Sequence, residues 1–145
     1  MDIKQKGFIN ATVMINVNGR DDENKVISVI ENAKNQVKDN AFTVKKIDIC
    51  DVEDGYFYVG IDINYVNNDT FFYEGCPASQ TEDVSYAYFA ELKTIDEVSK
   101  LTAGFVSRLI NAAGRYRISN IKIDVESLQN EDDLFKEIYK SSLAS

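Results

Sequence analysis

The strict alternation of apolar and polar residues at 56–65 constrains the fold of this chain more than any other feature. Successive side chains of a strand point to opposite faces, so an alternating segment forms a strand with one buried face. The apolar set here is Phe57, Val59, Ile61, Ile63 and Tyr65. Residues 7–17 alternate in the same way, with the apolar set Ile9, Ala11, Val13, Ile15 and Val17. The chain therefore contains at least two strands that each need a covering layer.

Amphipathic helices are expected to supply that layer. A first helix of about four turns is predicted at 22–38, capped by Asp21 or Asp22, with the stripe Val26, Ile30, Ala33 and Val37. A second begins at the capping box of Thr94 and Glu97 and ends at Gly114. Its predicted apolar face is Val98, Leu101, Phe105, Leu109 and Ile110. A last helix follows Asn130, with the apolar side Leu134, Phe135, Ile138 and Tyr139.

The remaining strands complete the predicted topology. Residues 42–50 form a strand with a bulge at Lys45 and Lys46, and a turn at 53–55 joins it to 56–65 as an antiparallel hairpin. Further strands are expected at 84–92 and 121–125, and 67–83 is the least regular stretch. The order β-α-β-β-(β)-β-α-β-α predicts one α+β domain, 1–145. We expect a ferredoxin-like antiparallel sheet with two helices on one face, an inserted strand and an extra C-terminal helix.

The composition favours a cytoplasmic protein that needs no scaffold of disulfides. No signal peptide is visible, and no segment approaches the roughly 18 consecutive apolar residues of a membrane span. We therefore expect no membrane partner. Cys50 and Cys76 are interpreted as reduced thiols. The net charge of −8 predicts no direct binding to nucleic acid, where affinity grows with neutralised phosphates.

The inventory of catalytic groups is poor. The chain has no histidine, which removes the usual general base and imidazole metal ligands. No Gly-rich phosphate loop is present, and the carboxylates at 51–54 place Gly55 one position too early for an EF-hand. We expect no catalytic residue, no metal, no cofactor and no enzymatic activity.

The distribution of charge is unusual. Residues 47–92 contain no lysine or arginine, yet they hold ten carboxylates and ten of the sixteen aromatic residues. Outside this block 16 basic residues meet 14 acidic ones. A surface of one sign selects its partners by charge, and aromatic rings supply contact area. The sheet face opposite the helices is expected to carry Phe8, Met14, Tyr56, Tyr58, Asp62 and Asn64.

The leading hypothesis is a non-enzymatic acidic interaction module that binds a basic protein partner, itself, or both, as a homodimer or larger oligomer. Aromatic side chains in excess of what one core face buries support an interface. The candidate partner-binding residues are Asp51, Glu53, Asp54, Tyr56, Tyr58, Asp62, Asp69, Phe71, Phe72, Tyr73, Glu82 and Asp83.

Three alternatives stay open. A narrower version of the leading hypothesis is a phage-type inhibitor whose carboxylates imitate the phosphates of nucleic acid. A second class is a small-ligand protein, in which Arg115 and Arg117 with nearby tyrosines bind an anionic metabolite or nucleotide. A third class is a holdase-like chaperone.

Overall fold

A computed structural model describes residues 3–17, 19, 21–75 and 86–144. Its elements in chain order are β1 (Gln5–Asn16), α1 (Glu23–Lys34), β2 (Phe42–Glu53), β3 (Tyr56–Asn67), β4 (Phe71–Gly75), β5 (Tyr86–Ala90), α2 (Ile95–Ala113), β6 (Arg117–Leu128) and α3 (Glu131–Ala144). This is the predicted order of strands and helices. None of the described helices is long and apolar enough to cross a membrane.

The main sheet has four strands in the order β2-β3-β1-β6, and every neighbouring pair is antiparallel. This order, with the third strand of the βαββαβ core between the first two, is the ferredoxin-like arrangement, so the predicted fold class is confirmed. The insertion consists of two strands. β4 and β5 pair with each other as a separate antiparallel sheet.

The core lies between the main sheet and the two helices α1 and α2. The odd-numbered residues of β1 and β3 point into it, as the alternation predicts, and Ile9, Val13, Ile61 and Ile63 are all 0% exposed. They pack with the buried sides of α1 and α2 in one cluster. The even-numbered residues therefore form a face turned away from these helices, which we call the open face.

Helix α1 is one turn shorter than the sequence predicts. Asp22 caps it by accepting a hydrogen bond from the Lys25 amide. The helix stops at Lys34 because the amides of Asn35 and Gln36 bond to carbonyls three residues back, which tightens the last turn. Val37 follows the helix and still packs against the core.

Helix α2 has the predicted capping box and a left-handed Gly114 at its end. The prediction that Leu101 belongs to its buried face is wrong, since Leu101 is 46% exposed. At 100° per residue, Leu101 is rotated by roughly 100° from the centre of the buried stripe. Thr102 is buried instead, and its hydroxyl is satisfied by donating to the Val98 carbonyl at 2.6 Å.

Helix α3 packs near the β4–β5 hairpin. The Phe89 ring contacts those of Phe72 and Phe135, with centroids 5.2 and 5.4 Å away. Leu134 is fully buried, whereas Tyr139 is 65% exposed, so the predicted place of Tyr139 on the apolar side is wrong. Five residues turn the helix by roughly 140° from Leu134, which carries Tyr139 to the solvent side.

The inserted strand expected between 56–65 and 84–92 is β4, which occupies 71–75 of the least regular stretch. This strand shows no alternation of apolar and polar residues in the sequence, because both faces of the hairpin carry aromatic rings. Phe72 faces Phe89, while Phe71 and Tyr73 contact each other with centroids 6.4 Å apart. Residues 76–85 lie outside the described part of the chain.

A buried amide joins four segments at one end of the sheet. Gln5 is 1% exposed, and its Oε1 accepts from Asn67 Nδ2 and from the Lys93 amide, both at 2.9 Å. Its Nε2 donates to the carbonyls of Lys93 at 3.0 Å and Gln129 at 2.8 Å. All four hydrogen bonds that a glutamine amide can make across its two polar atoms are formed, so the start of β1 is tied to the entries of α2 and α3.

Candidate functional site

The register of the β2–β3 hairpin places carboxylates beside tyrosines on the open face. Glu53 is opposite Tyr56, and Asp51 is opposite Tyr58. Further along the hairpin Asp48 is opposite Gly60, and Lys46 is opposite Asp62. We define the acidic face as Asp48, Asp51, Glu53, Tyr56, Tyr58 and Asp62. The sequence predicted five of these six as partner-binding residues, and the structure brings all six together.

The turn at the end of this hairpin fixes how the acidic face ends. Asp54 and Gly55 have φ values of 35° and 85°, the left-handed pair that a tight two-residue hairpin turn requires. Asp54 is exposed at the tip, and the Asp51 carboxylate accepts from the Val52 amide at 2.8 Å. The backbone that carries the carboxylates at this end of the hairpin therefore has a fixed conformation.

Tyr58 is the most constrained aromatic residue of the acidic face. Its hydroxyl donates to Glu53 Oε2 at 3.3 Å. The pKa of Tyr58 is raised above 10.0, first by partial burial and then by the charges of Glu53 and Asp51. The phenol is consequently a neutral hydrogen-bond donor at physiological pH, held half-buried between β2 and β1.

Asp62 lies deeper in the same face. Asn10 of β1 donates to Asp62 Oδ1 at 2.8 Å. Lys46 and Asp48 form an ion pair at 3.2 Å, but both side chains are more than half exposed, so the pair contributes little to stability. The acidic face thus carries four carboxylates, and the one basic residue that the β2–β3 register places among them is Lys46.

Gly60 has a packing role in this face. A Cβ built on Gly60 would lie 2.7 Å from Cys50 Sγ, so the sulfur occupies the space beside the glycine. Cys50 is the extra residue of a bulge between Ile49 and Asp51, and it is exposed. A second bulge follows Val44 as predicted. Bulges and charges on this edge strand oppose pairing with another strand.

The β4–β5 hairpin, here called the aromatic hairpin, carries the second group of predicted residues. Phe71, Tyr73 and Tyr88 are 40–52% exposed on one of its faces, and the rings of Tyr73 and Tyr88 stack with centroids 5.1 Å apart. Phe72 is 40% exposed on the other face.

The two groups are separate. At 3.3 Å per residue of β3, Tyr56 lies roughly 36 Å and Asp62, the nearest member of the acidic face on this strand, roughly 16 Å from Asn67, where the strand ends. Asp69 is exposed in the turn that follows β3, on the side of the aromatic hairpin. Glu82 and Asp83, like Cys76, lie outside the described residues. The acidic block of the sequence is therefore two surfaces, not one.

The two candidate anion-binding arginines point in different directions. Arg115 forms a bidentate pair with Asp21, at 2.9 and 3.2 Å, and the side chain of Asp21 is 7% exposed. Tyr116 is buried and donates to the same carboxylate at 2.7 Å. Arg117 lies on the open face opposite Asn16 of β1. The structure thus does not bring the two guanidinium groups together, and an anion at Arg115 would have to displace Asp21.

The Asp21 cluster shifts the titration of its members. The hydrogen bond from Tyr116 and the contact with Arg115 lower the pKa of Asp21 below 3.8. Burial, followed by the hydrogen bond to Asp21, raises the pKa of Tyr116 to about 12. The hydrogen bond with Asp21 raises the pKa of Arg115 further. These are the properties of a structural cluster that joins the α1 entry to the end of α2.

Sequence reasoning missed a groove beside α2. Its walls include Lys38, Tyr65, Lys93, Leu101 and Arg108. These residues come from separate segments of the chain and share no motif, so no local pattern could have indicated them. Exposure of Leu101 is the structural sign of this groove.

No metal site is visible in the part of the chain that the structure covers. There, no three cysteine or acidic side chains lie close enough together to hold an ion. Comparison of the chain with protein-family models, with curated proteins and with solved structures gives no match. A function must therefore be inferred from the surfaces of the molecule.

Proposed function

We propose that this protein is a non-enzymatic interaction module that binds a basic protein partner through the acidic face. The observation that carries the proposal is the register of the β2–β3 hairpin, which pairs Asp51 with Tyr58 and Glu53 with Tyr56. Each pair sets a carboxylate about 5 Å from an aromatic side chain.

This pairing suits an arginine or lysine side chain. A guanidinium group can stack on a tyrosine ring and form a charge-assisted hydrogen bond to the neighbouring carboxylate. The two pairs are two residues apart along the same face, roughly 7 Å. That is also the spacing of side chains on one side of an extended strand. The preferred partner segment is accordingly extended, with a basic residue at every second position.

The excess of carboxylates also favours fast association. Four acidic groups face one lysine, so a basic segment is attracted before contact, and the association rate falls as salt screens the charges. The same charge opposes direct binding of nucleic acid.

A labelled peptide with the repeat Ser-Arg tests the proposal by fluorescence anisotropy. Binding should weaken between about 50 and about 300 mM NaCl as screening increases. The double variant Asp51→Asn/Glu53→Gln should bind about tenfold more weakly. The matched control Glu131→Gln/Asp132→Asn removes the same charge from α3, where both residues are exposed, and should bind nearly as the wild type does.

Equal losses in both double variants would show only a net-charge effect and would overturn the assigned face. Salt-insensitive binding would also contradict it. The variant Tyr56→Ser/Tyr58→Ser keeps every charge, so a loss of binding there isolates the contribution of the rings.

Self-association is the second part of the proposal, and the aromatic hairpin is its proposed location. The exposed rings of Phe71, Tyr73 and Tyr88 form one continuous aromatic surface. Sedimentation equilibrium should show a dimer or larger species that Tyr73→Ser/Tyr88→Ser dissociates. A wild-type monomer at concentrations up to about 100 μM would refute this part alone.

The row of Asp48, Asp51 and Glu53 along one edge strand favours a second candidate function, an inhibitor that imitates the charge of nucleic acid. Such a protein would bind the basic groove of a nucleic-acid enzyme, and duplex DNA would compete with it. A basic partner that duplex DNA fails to displace would argue for the general interaction module instead.

A further inference from the structure

The groove beside α2 combines charged side chains with a few apolar ones. Its volume is about 620 Å³, within the range of ligand pockets. Phe42 and Tyr65 form its floor, and the ring of Phe42 is anchored by stacking on Phe105 with centroids 5.0 Å apart. The exposed Leu101 adds an apolar wall. A planar or apolar part of a ligand can therefore pack against these side chains.

Tyr65 brings a polar group into the groove. The residue is 2% exposed, yet its hydroxyl forms no hydrogen bond with any described part of the chain. No buried side-chain oxygen or nitrogen among those residues lacks both a partner and solvent contact, so this hydroxyl contacts solvent, and Tyr65 is one of the residues that line the groove. Burial and the charges of Asp69 and Glu97 raise the pKa of Tyr65, which keeps the phenol protonated and able to donate.

Cationic side chains lie along the same groove. Lys38 and Lys93 have no ion pair within the described residues, and Arg108 is 58% exposed at its side chain. Arg108 is paired with Asp39 at 2.9 Å through one of its terminal nitrogens. Its remaining N–H groups are left for another acceptor, since a guanidinium has five. Lys38 and Arg108 outnumber Asp39, which is a local excess of positive charge in a protein of charge −8.

The two ends of the groove differ in charge. Arg108 is eleven residues along α2 from Glu97, about 16 Å at 1.5 Å per residue. Glu97 and Asp69 act on the Tyr65 end and outnumber its one cation, Lys93, so a second anion is disfavoured there. Lys38 and Arg108 belong to the other end, where a negative charge is favoured.

From this arrangement we propose that the groove binds a small organic carboxylate. The carboxylate group pairs with Arg108 and Lys38, an apolar or aromatic body packs against Leu101, and an uncharged acceptor takes the hydrogen bond of Tyr65. This site is independent of the acidic face, and neither proposal requires the other.

Three probes that differ only in the group opposite the carboxylate test the site by NMR, with the backbone amides of Ala41, Lys93 and Leu101 as reporters. They are 4-carbamoylbenzoate, benzoate and the dianion terephthalate. We expect saturable shifts with a dissociation constant on the order of 1 mM for 4-carbamoylbenzoate, weaker binding of benzoate, and the weakest binding of terephthalate.

Two variants assign the contacts. Tyr65→Phe removes only the hydroxyl and should weaken 4-carbamoylbenzoate roughly two- to tenfold while leaving benzoate unchanged. Arg108→Gln should weaken all three probes, and the exposed Arg117→Gln, outside the groove, should weaken none. Melting temperatures verify that each variant is folded.

Several results would overturn the proposal. They are an absence of saturable shifts up to about 20 mM probe, shifts centred on residues outside the groove, terephthalate binding as tightly as 4-carbamoylbenzoate, or equal losses in Arg108→Gln and Arg117→Gln. Benzamidine, a planar cation, should bind more weakly than benzoate, and tighter binding of benzamidine would show that the charge at the Arg108 end has been assigned with the wrong sign.

Discussion

Replacing Gln5 by leucine should destabilise the protein far more than its place near the start of the chain suggests. The substitution removes four hydrogen bonds at once, made with Asn67, with Gln129 and with both backbone groups of Lys93. A buried polar group left without a partner costs about 1–3 kcal/mol.

The magnitude depends on how far water can replace the lost hydrogen bonds. The hydrogen bonds with Lys93 and Gln129 are only part-buried, so water can reach some of the groups that lose Gln5. We therefore count two of the four groups as unsatisfied, at about 2 kcal/mol each. Leucine recovers about 1 kcal/mol through its apolar burial. The expected loss is about 3 kcal/mol, or about 10 °C in melting temperature for a chain of this length.

Urea unfolding followed by circular dichroism measures the free energy of unfolding. The matched control is Gln36→Leu, because Gln36 is exposed just after α1, and its effect should stay within about 0.5 kcal/mol. Equal effects of the two substitutions would refute the assignment of Gln5 as a buried junction.

The isosteric variant Gln5→Glu separates hydrogen bonding from packing. A carboxylate can accept from Asn67 and Lys93, but it meets the carbonyls of Lys93 and Gln129 without a proton to donate. Burial raises the folded-state pKa of such a carboxyl above its unfolded value of about 4.3. The deficit should therefore be smallest below about pH 4 and grow as the pH rises toward the folded-state pKa. A deficit independent of pH would contradict this reading.

Two further predictions concern α2 and the Asp21 cluster. Leu109→Ala should cost about 3 kcal/mol and Leu101→Ala less than about 1 kcal/mol in the same urea assay, since only Leu109 is fully buried; similar costs would place Leu101 in the core. Because the folded-state pKa of Tyr116 is raised to about 12, the stability that it contributes is complete below pH 10 and is lost as the pH rises toward 12. Tyr116→Phe should flatten the fall in melting temperature above pH 10, and the absorbance titration at 295 nm should lose one tyrosine that ionises near pH 12. At the acid end the lowered pKa of Asp21 gives stability that is present above about pH 4 and lost below it, so Asp21→Asn should flatten the acid side of the same profile; unchanged slopes in both variants would refute the cluster.

Much of the fold could be predicted because its signals are local. Alternation in β1 and β3, the capping box at Thr94 and the glycine stop at Gly114 each depend on neighbours within a few residues. The errors in predicting buried residues arose at the edges of the apolar stripes of helices. Leu101 and Tyr139 have the correct residue type for a buried stripe, but their angle about the helix axis places them in solvent.

The candidate surfaces were also predictable only in part. Five members of the acidic face were predicted from charge and alternation, and register then paired them across the hairpin. Arg115 and Arg117 are close in sequence, but Asp21, which is distant in sequence, engages only the first. The groove at Tyr65 and Arg108 had no sequence signal, because its walls come from three segments that are more than 20 residues apart.

Sequence alone thus determined the periodicities, the helix caps, the hairpin turn and the charge of each segment, all of which are short-range properties of the chain. Only the tertiary structure decided that the acidic and aromatic residues form two separate surfaces, since the acidic face occupies the half of β3 that begins at Tyr56 and the aromatic hairpin follows its other end at Asn67. It also decided the three residues that bond to the Gln5 side chain, which lie up to 124 positions away along the chain. Contacts at such separations depend on strand order and register, which emerge only when the whole sheet is assembled.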